Sequence, residues 1–357
     1  MVACPLGPGG MGGIDRIMDE VRDELRLSPV DDIAVTFLST RGQGSIWISP
    51  LVLSSFLTRM IIARLSGRLD VVHINLSCRG STYRKLVVAF VARRLGVATV
   101  IHLHGSQYRQ FWFSAGLVLT SAITRMFSGA SRVVVLGKVW HRFVADKVPG
   151  IADRTVILPN ATPRTVRPRV PGPDGTVRIL FLGRIGARKG VPQLVEALAA
   201  IADLPNWSAV LAGDGDIGET VRMVAGYGLS GRVVLPGWVG PDAVASYLAA
   251  SDVLALPSFD ENLPMSVIEG MAAGLAVIAT PVGAVEDVIT DGETGLLVNP
   301  GDSDALAVAL RRIVLDAKLR RRLGDAGRVV HRERLEIGPY VRQLCAIWRD
   351  AAAMERR

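Results

Sequence analysis

The stretch that decides the fold is VRILFLGRIGARKGVPQLVEALAAI, residues 177–201. Its first six residues, apolar except for Arg178, form a run of the kind found in buried strands. Gly183 then interrupts the run, and apolar side chains recur at helical spacing from residue 191 onward. A strand that passes through a glycine turn into a helix is the repeating unit of a parallel sheet. The stretch therefore predicts an α/β fold.

The same alternation continues in both directions along the chain. Helical patterns separate several of the apolar runs, as in GIDRIMDEVRDEL, residues 13–25. Because strands that alternate with helices pair in parallel, we predict two doubly wound parallel sheets, in two domains that face each other across a cleft. The predicted strands lie in 32–38, 71–76, 97–103, 132–137, 155–160, 177–183, 207–213, 232–237, 252–257 and 276–281.

A change in amino-acid composition near the middle of the chain marks a domain boundary. The 357 residues exceed what one hydrophobic core usually supports. Residues 166–176 are rich in proline and arginine and have no apolar period, so we interpret them as a linker. The first domain then covers residues 1–165 and the second 177–336, while residues 337–357 form a helix that could pack back on the first domain.

Composition restricts the class of protein and its partners. The chain is 49% hydrophobic and 21% charged, which is typical of a packed globular protein. Its net charge of +8 favours an anionic partner, whether phosphate groups, nucleic acid or an acidic membrane surface. Three cysteines without paired spacing, and the lack of a secretory signal or an apolar span, predict a cytoplasmic protein without a transmembrane helix.

A glycine-rich segment, PLGPGGMGGIDR (5–16), lies between a short strand and a helix. Backbone N–H groups of such a turn approach anions closely, and the positive end of the helix favours them. The segment contains G-x-G-x-x-G, but no acidic residue closes the strand at 32–38 and no GK[ST] follows. We therefore predict neither a nicotinamide site nor a Walker loop, and a purely structural turn stays an alternative.

Two further segments carry candidate polar groups. Arg184 and Lys189 follow the strand that ends at Gly183 and precede a helix, which is a suitable arrangement for binding a diphosphate. In HLHG (102–105), His104 follows a strand in the first half, where it could donate a hydrogen bond to phosphate or to a sugar hydroxyl. Solvated basic residues and a buried histidine are the alternatives, and no role is assigned to His73, His141 or His331.

The segment FDENLPMSVIEG, residues 259–270, places two glutamates around a proline. Glu261 would lie in the loop after the strand at 252–257, and Glu269 about one turn into the next helix. Two carboxylates with the backbone amides of Asn262 and Leu263 suit a ligand that offers many hydroxyls, such as a sugar with a ribose. A lone glutamate is usually only a solvated surface charge, but the joint pattern makes that explanation weaker.

These residues resemble a known family. FDENLPMSVIEGMAAG is similar to the Glu, seven residues, Glu signature of the retaining glycosyltransferases of family 4, which have GT-B architecture, with two Rossmann-like domains. Further similar elements occur in the family's order over nearly the whole chain: GGMGGIDR, HLHG, PN at 159–160, GRIGARKG, AGDGD, LPGWV, VGAVEDVITDGETGLLV and PGD. The chain departs from the family pattern at Ala161, at Gly270 and at Ala284, where glycine, alanine and glycine are usual.

The resemblance implies transfer of a sugar from a UDP- or GDP-linked donor to an acceptor, with the anomeric configuration kept. Arg184 and Lys189 would hold the donor diphosphate after Gly183, and Glu269 the ribose hydroxyls. The implied catalytic residues are His104, Arg184, Lys189 and Glu261. The implied donor-binding residues are Gly12, Gly13, Gly183, Arg184, Lys189, Asn262, Leu263 and Glu269. The resemblance implies no carboxylate nucleophile and no metal or other cofactor.

Alternative functions stay open at this point. A metal-dependent transferase would use an Asp-x-Asp pair, and the chain has Asp214 with Asp216 and Asp302 with Asp304, all in glycine-rich turns where Asp is common. A nucleotide-sugar epimerase would use the same scaffold. A nucleic-acid-binding protein would use KLRRRLGDAGR (318–328), but that run lacks interleaved aromatic residues and favours a solvated face, so we expect no nucleic acid.

Two segments of the first half suggest contact with an anionic membrane. In residues 81–96 the basic side chains Arg84, Lys85, Arg93 and Arg94 bracket an apolar helix, and residues 108–119 add clustered aromatics. Ordinary core packing is the alternative. With membrane contact, the expected acceptor is a glycan or a polyprenyl-linked glycan of bacterial polysaccharide synthesis, and the protein would lie peripherally on the inner face of the membrane.

Overall fold

The computed structural model describes residues 1–10, 12–164 and 175–355, so most of the predicted linker 166–176 lies outside the described residues. The chain divides into two compact units. The first unit comprises Met1–Ala161 with Ile337–Arg357, and the second comprises Thr162–Glu336. The C-terminal helix thus belongs to the first unit, whereas residues 162–164 belong to the second unit and not to the first domain as we delimited it.

The first unit contains six strands and seven helices within the described residues. The strands are β1 (Val2–Cys4), β2 (Phe37–Ser39), β3 (Val71–Leu76), β4 (Ala98–Leu103), β5 (Arg132–Val135) and β6 (Thr155–Ile157). The helices are α1 (Gly13–Leu27), α2 (Ser49–Leu65), α3 (Gly80–Arg94), α4 (Tyr108–Phe113), α5 (Leu117–Ser128), α6 (Lys138–Lys147) and α13 (Ile337–Glu355).

All pairs of neighbouring strands in the first sheet are parallel, in the order β2-β1-β3-β4-β5-β6. The prediction of a strand over 32–38 is wrong in extent, because the strand covers only Phe37–Ser39. Its partner strand β1 has only three residues, and the first of them to pair, Val2, pairs with Phe37. Residues before Phe37 therefore have no strand partner in β1, apart from the hydrogen bond that the Val2 N–H donates to the Thr36 carbonyl.

Helix α13 packs on the first sheet, against β3, β4 and α1. Its apolar side chains recur at three- and four-residue spacing and are buried there: Tyr340, Val341, Leu344, Ile347, Trp348 and Ala351. On the polar face, the guanidinium of Arg349 donates two hydrogen bonds of 2.6 Å to the Asp32 carboxylate. This helix therefore brings side chains from the end of the chain into the core of the first unit.

The second unit has the same construction. Its strands are β7 (Val177–Leu182), β8 (Trp207–Ala212), β9 (Val233–Gly237), β10 (Val253–Leu256), β11 (Ala276–Ala279) and β12 (Leu296–Leu297). Its helices are α7 (Val191–Ala199), α8 (Ile217–Gly226), α9 (Pro241–Ala250), α10 (Met265–Ala273), α11 (Ser303–Leu315) and α12 (Ala317–Arg334). The sheet is parallel, in the order β12-β11-β10-β7-β8-β9.

The second sheet has one topological switch point, between β7 and β10. From β7 the chain proceeds to β8 and β9 on one side, and β10, β11 and β12 then continue on the other side. The crossover helices on either side of such a point lie on opposite faces of the sheet, and a crevice opens at the carboxyl ends of the two strands. These two parallel sheets with their helices confirm the predicted α/β architecture. Within the described residues no helix is long and apolar enough to cross a membrane.

Candidate functional site

Two sets of predicted binding residues, one for a diphosphate and one for sugar hydroxyls, lie at the switch point of the second unit. The turn 183–190 follows β7, and the loop 257–264 follows β10. Two hydrogen bonds tie these segments together: the Phe259 N–H donates to the Arg188 carbonyl at 2.9 Å, and the Arg188 guanidinium donates to the Asp260 carbonyl at 3.1 Å. The turn and the loop therefore form one continuous rim at the carboxyl edge.

Lys189 and Glu261 contact each other directly across this rim. The Lys189 ammonium donates to Oε1 of Glu261 and forms an ion pair with it, and both side chains are largely buried, with 14% and 9% exposed. The Ser258 hydroxyl donates a second hydrogen bond to the same oxygen at 2.8 Å. Because Oε1 is held by two donors, the carboxylate has a fixed position beside the cation.

The close approach of turn and loop depends on Gly190. This residue has φ of +69°, and a Cβ on it would lie 2.0 Å from the Pro257 carbonyl oxygen. Only glycine fits such a left-handed position against another backbone. Gly190 also precedes α7, so the same residue ends the turn that carries Lys189 and starts the helix.

Gly183 and Arg184 lie at the open side of this turn. A Cβ on Gly183 would meet Cε of Lys189 at 3.8 Å, so the glycine lies beside the Lys189 side chain. Arg184 is exposed, and its Cγ would be 3.2 Å from a Cβ on Gly215 in the next βα turn. Arg184 is thus more exposed than Lys189, which is largely buried against Glu261.

The loop after β10 is held by hydrogen bonds from the segment that follows β11. The Thr280 hydroxyl donates to the Ser258 carbonyl at 2.5 Å, and the Ala284 N–H donates to the Asn262 carbonyl at 2.7 Å. Gly283 has φ of +63°, and a Cβ there would lie 2.2 Å from the Glu261 carbonyl oxygen. Ala284 has φ of −104°, which alanine adopts without strain, so the departure from the family pattern is harmless at this position.

Asn262, Leu263 and Glu269 complete the predicted set in this unit. Asn262 and Leu263 are buried in the loop, with 4% and 3% exposed. Glu269 lies one turn into α10, as predicted, and is buried as are all other residues of this helix. Gly270 allows that burial, because a Cβ on it would be 2.9 Å from the Leu254 side chain. Helix α10 begins at Met265 without a side-chain cap.

His104, Gly12 and Gly13 belong to the first unit. His104 follows β4 and is half-buried, and its Nε2 lies 2.9 Å from Oδ1 of Asn75. Burial, with the neighbouring His73, lowers the pKa of His104 to about 3. Gly12 is the N-cap of α1 and Gly13 its first residue. A Cβ on Gly13 would have no atom of the described residues within 4 Å.

Asp15, a residue not predicted from the sequence, holds the glycine-rich loop. Its Oδ1 accepts hydrogen bonds of 3.0 Å from the N–H groups of Leu6 and Gly7, and the side chain is buried. Burial raises the pKa of this carboxyl, although the two backbone donors act in the opposite direction. The available signal was an acid in the first turn of a helix behind a glycine-rich loop.

The structure also corrects the predicted membrane segments. Lys85 is fully buried, and its ammonium donates to the Ala3 carbonyl at 3.2 Å and to the Thr40 hydroxyl at 2.5 Å, so it contacts no membrane. Burial lowers the pKa of Lys85 to about 7. In the aromatic segment, Tyr108 and Trp112 are core residues, whereas Phe113 is 64% exposed. Arg93 and Arg94 are exposed.

His73, to which no role was assigned, contacts the surroundings of His104. The Trp348 indole donates to Nδ1 of His73 at 3.1 Å, and Nε2 of His73 lies 3.3 Å from Oδ1 of Asn75. The sequence placed His73 in a predicted strand and assigned it no role. Its partner Trp348 is 275 positions away in the chain, so sequence spacing gave no signal for it.

The basic run 318–328 has structural partners. Arg320 donates to the carbonyls of Ile313 and Val314, Arg322 to that of Gly292, and Arg328 to that of Ala273. These arginines thus bind carbonyl groups at helix ends and turns. Asp302 has a comparable local role, since its carboxylate accepts from the Ala305 N–H at the start of α11.

A cavity of about 520 Å³ lies elsewhere in the first unit, and its lining includes Val71, His73, Trp348 and Ala352. None of the predicted site residues lines this cavity. Its position at the amino ends of β1 and β3 is opposite to the edge where doubly wound sheets bind ligands. We therefore place the candidate site at the switch point, where polar groups converge, and not in this cavity.

The fold and the switch-point residues define a class: a two-unit α/β protein with a cation and two carboxylates at the carboxyl edge of its second sheet. The family model described as "Glycosyl transferases group 1" matches residues 164–330. The matched residues are just under half of the chain, and their similarity to the group 1 glycosyl transferases confirms the group predicted from the sequence.

Two curated relatives extend the similarity. The lipopolysaccharide core biosynthesis glycosyltransferase LpsE of Rhizobium meliloti is 34% identical over 199 residues, which are 52% of this chain and 57% of the relative. The alpha-D-kanosaminyltransferase of Streptomyces kanamyceticus is 24% identical over 356 residues, 94% of this chain and 91% of the relative. The chain thus spans just over half the length of the first relative and nearly all of the second.

Solved structures share the whole fold at low sequence identity. HepE of Anabaena, in complex with UDP and glucose, has a TM-score of 0.75 at 18% identity and covers 97% of this chain and 98% of its own. Sucrose-phosphate synthase of Thermosynechococcus elongatus has a TM-score of 0.76 at 20% identity and covers 99% of both chains. These likenesses confirm the two-domain α/β fold of GT-B type that was predicted from the sequence.

Proposed function

We propose that this protein is a retaining glycosyltransferase of family 4 that transfers a sugar from a UDP- or GDP-linked donor to a glycan or a lipid-linked glycan. The observation that carries the proposal is the ion pair of Lys189 with Glu261 at the switch point between β7 and β10. A nearly buried cation beside a held carboxylate, in a group 1 glycosyltransferase domain, provides for a diphosphate and for hydroxyl groups at one place.

Positive charge in the turn after β7 supports the chemistry of donor cleavage. When the glycosidic bond breaks, the sugar becomes oxocarbenium-like and the leaving diphosphate gains negative charge. Arg184 and Lys189 lie in the turn 183–190, where fixed cations stabilise such a charge without reorganisation. We therefore propose that neither a metal nor another cofactor is required, and activity in the presence of EDTA tests this point.

Glu261 is poorly suited to act as a nucleophile. Its Oε1 accepts hydrogen bonds from Lys189 and Ser258, which stabilise the carboxylate and lower its reactivity. We propose instead that Glu261 binds hydroxyls of the donor sugar, together with the backbone amides of Asn262 and Leu263. Glu269, one turn into α10, is proposed to bind the ribose hydroxyls, and Gly12 and Gly13 to lie by the donor phosphates.

The nature of the acceptor is argued from relatives and from an exposed surface. One relative is named as a lipopolysaccharide core enzyme, which supports a glycan or polyprenyl-linked glycan acceptor in bacterial polysaccharide synthesis. In the first unit, large apolar side chains are exposed at the amino ends of α2 and α5 and at the end of α4. We call them the apolar rim: Trp47, Leu51, Phe113, Leu117 and Val118, with 86%, 74%, 64%, 90% and 87% exposed.

Basic side chains accompany these exposed residues. The Lys147 ammonium lies 3.9 Å from the centre of the Phe113 ring, and the Arg94 guanidinium lies 5.0 Å from that of Phe90, which is also exposed. Apolar groups with adjacent cations match the interface of an anionic bilayer. We propose that the protein is cytoplasmic and binds peripherally to the inner face of the membrane through the apolar rim.

The test is release of free nucleotide. A screen of thermal shifts against UDP, GDP and their sugar conjugates first selects the donor. A transferase then releases nucleotide when donor and acceptor are both present and not with donor alone, and the product keeps the anomeric configuration of the donor. The alternative, a nucleotide-sugar epimerase, would convert the donor without an acceptor and without releasing nucleotide. Either that result or an inverted product would contradict the proposal.

A further inference from the structure

Four side chains of the first unit form a continuous hydrogen-bonded chain that ends at His104. The Trp348 Nε1–H lies 3.1 Å from Nδ1 of His73, and Nε2 of His73 lies 3.3 Å from Oδ1 of Asn75. The same Oδ1 lies 2.9 Å from Nε2 of His104. Nδ2 of Asn75 donates to the Ala3 carbonyl at 3.4 Å. None of these contacts was among the expectations from the sequence.

The two ends of this chain fix the direction of every hydrogen bond within it. An indole nitrogen only donates, so Nδ1 of His73 must accept, and a neutral His73 then carries its proton on Nε2. A backbone carbonyl only accepts, so the amide nitrogen of Asn75 faces Ala3, and Oδ1 faces both histidines. Both ends thus require the two Nε2 atoms to be donors, and they agree with each other.

Both imidazoles are neutral at ordinary pH. Burial lowers the pKa of His73 to about 3, and burial with the nearby His73 lowers that of His104 to about 3. The third histidine, His102, is fully buried and packs between them, with ring centres 5.3 Å from His73 and 3.9 Å from His104. A neutral His104 whose Nε2 donates to Asn75 has one remaining site, the lone pair on Nδ1.

We propose that Trp348, His73 and Asn75 are positioning residues that hold His104 in its Nε2–H tautomer, so that His104 offers Nδ1 to substrate as a hydrogen-bond acceptor. The inference about substrate rests on the proposed glycosyltransferase function. An acceptor nitrogen binds a sugar hydroxyl and gives no hydrogen bond to a phosphate oxygen, which has no proton to donate. Of the two ligands expected from the sequence, phosphate and a sugar hydroxyl, His104 therefore recognises the hydroxyl, and as an acceptor.

The tautomer is measurable in the ligand-free enzyme, independently of any donor. Two-bond ¹H–¹⁵N spectra of the full chain labelled in histidine distinguish a protonated ring nitrogen from an unprotonated one, and His104→Gln assigns the signals. We expect Nε2 of His104 to be protonated and Nδ1 to be unprotonated between pH 6 and pH 8. An imidazolium, or a proton on Nδ1, would overturn the proposal.

A pair of tryptophan variants separates tautomer control from packing. Trp348→Phe removes the donor to His73, and Trp140→Phe is the matched control, because the Trp140 indole is equally buried in the first unit and has no hydrogen-bond partner among the described residues. We expect Trp348→Phe to alter the His73 and His104 signals and to lower kcat/KM about 3- to 10-fold, as for one lost hydrogen bond. Equal effects of both variants would overturn the proposal.

A titration of the wild-type enzyme tests the recognition of a hydroxyl. With UDP-glucose at concentrations that saturate its own binding, we expect the Nδ1 signal of His104 to shift, and with UDP alone to stay unchanged. A shift of equal size with UDP alone, or no shift at saturation, overturns the assignment of a sugar hydroxyl. Absence of any UDP-glucose binding would instead contradict the proposed use of that donor, and the tautomer measurement would still decide the role of Trp348, His73 and Asn75.

Discussion

Lys189 and Glu261 neutralise each other at the end of β7 and β10, in a pair that is largely shielded from water. Lys189→Met would leave the Glu261 carboxylate without its cation, with the Ser258 hydroxyl still donating to it. Breaking such a buried pair costs about 3 to 5 kcal/mol, so we expect a lower free energy of unfolding as well as a loss of turnover of at least about 100-fold. Chemical denaturation and initial rates measure the two effects.

The double variant Lys189→Met with Glu261→Gln separates stability from activity. It removes both charges together, so no buried carboxylate is left unpaired, and we expect most of the lost stability to return. Turnover should stay low, because the cation that faces the diphosphate is still absent. A double variant with wild-type activity would remove Lys189 from the candidate site.

Glu269 is expected to contribute to donor binding and not to folding. Glu269→Gln keeps the shape of this buried side chain on α10 and replaces charge-assisted hydrogen bonds to ribose by neutral ones. Since such bonds are stronger by about 1 to 2 kcal/mol, we expect nucleotide affinity to fall about 5- to 30-fold. Isothermal titration with UDP and GDP measures the change.

Glu333→Gln is the matched control for that experiment, because Glu333 is exposed on α12 in the same unit. It should bind nucleotide as the wild type does. If Glu269→Gln and Glu333→Gln bound nucleotide equally well, Glu269 would have no role in holding the ribose.

The sequence was sufficient for the order of elements and for the residues at the switch point. Every strand of the second unit that was predicted occurs within two residues of its expected bounds, since fully buried strands are continuous apolar runs. Parallel neighbours also end at one edge, so Lys189 and Glu261 could be expected to lie close together. Their ion pair adds the direct contact to that expectation.

Other features depended on partners that are far away in sequence. Lys85 and its neighbour Arg84 are both basic, yet Lys85 faces the core and Arg84 is half-buried. The reason is that helix α3 places adjacent residues about 100° apart. The role of His73 depends on Trp348, from the last helix of the chain. Burial of a charge and choice of a tautomer are tertiary properties, and no local pattern encodes them.

Lys85 makes the stability of the first unit depend on pH. Its pKa is about 7 in the folded protein against 10.5 ordinarily, so above pH 7 the unfolded chain binds more protons than the folded one. The free energy of unfolding should therefore rise with pH from about 7 to 10.5, by about 2 kcal/mol between pH 7 and pH 9 from this group. Denaturation curves at several pH values measure this rise.

Lys85→Met should remove that rise. Both partners of the ammonium keep another hydrogen bond in the variant, since Thr40 donates to the Cys4 carbonyl and the Ala3 carbonyl accepts from Asn75. Lys147→Met, on the half-exposed Lys147 of the same unit, is the control and should retain the wild-type pH dependence. A Lys85→Met protein with the same pH dependence as the wild type would show that the ammonium is not the group responsible.

The apolar rim gives a prediction about membranes. Leu117→Ser with Val118→Ser removes two of its most exposed apolar side chains, and we expect binding to vesicles that contain an anionic lipid to fall at least about 10-fold. Co-sedimentation measures the binding. Leu315→Ser is the control, because Leu315 is 64% exposed on the second unit. Wild-type protein that does not bind anionic vesicles would contradict the proposed membrane contact.

Substitutions at Gly283 and Ala284 test what holds the loop that carries Glu261 and Asn262. Gly283→Ala places a Cβ about 2.2 Å from the Glu261 carbonyl oxygen in a left-handed backbone position, so the loop must move. We expect a loss of at least about 2 kcal/mol in stability and a strong loss of activity, because the moved carbonyl lies on the residue that binds Lys189.

Ala284→Gly, the adjacent change toward the family pattern, should cost less than about 1 kcal/mol and keep activity, since φ of −104° is already open to alanine. Thermal unfolding and initial rates of the two variants decide between them. Equal effects at both positions would show that the contact of Gly283 with the 261–262 backbone does not hold the loop in place.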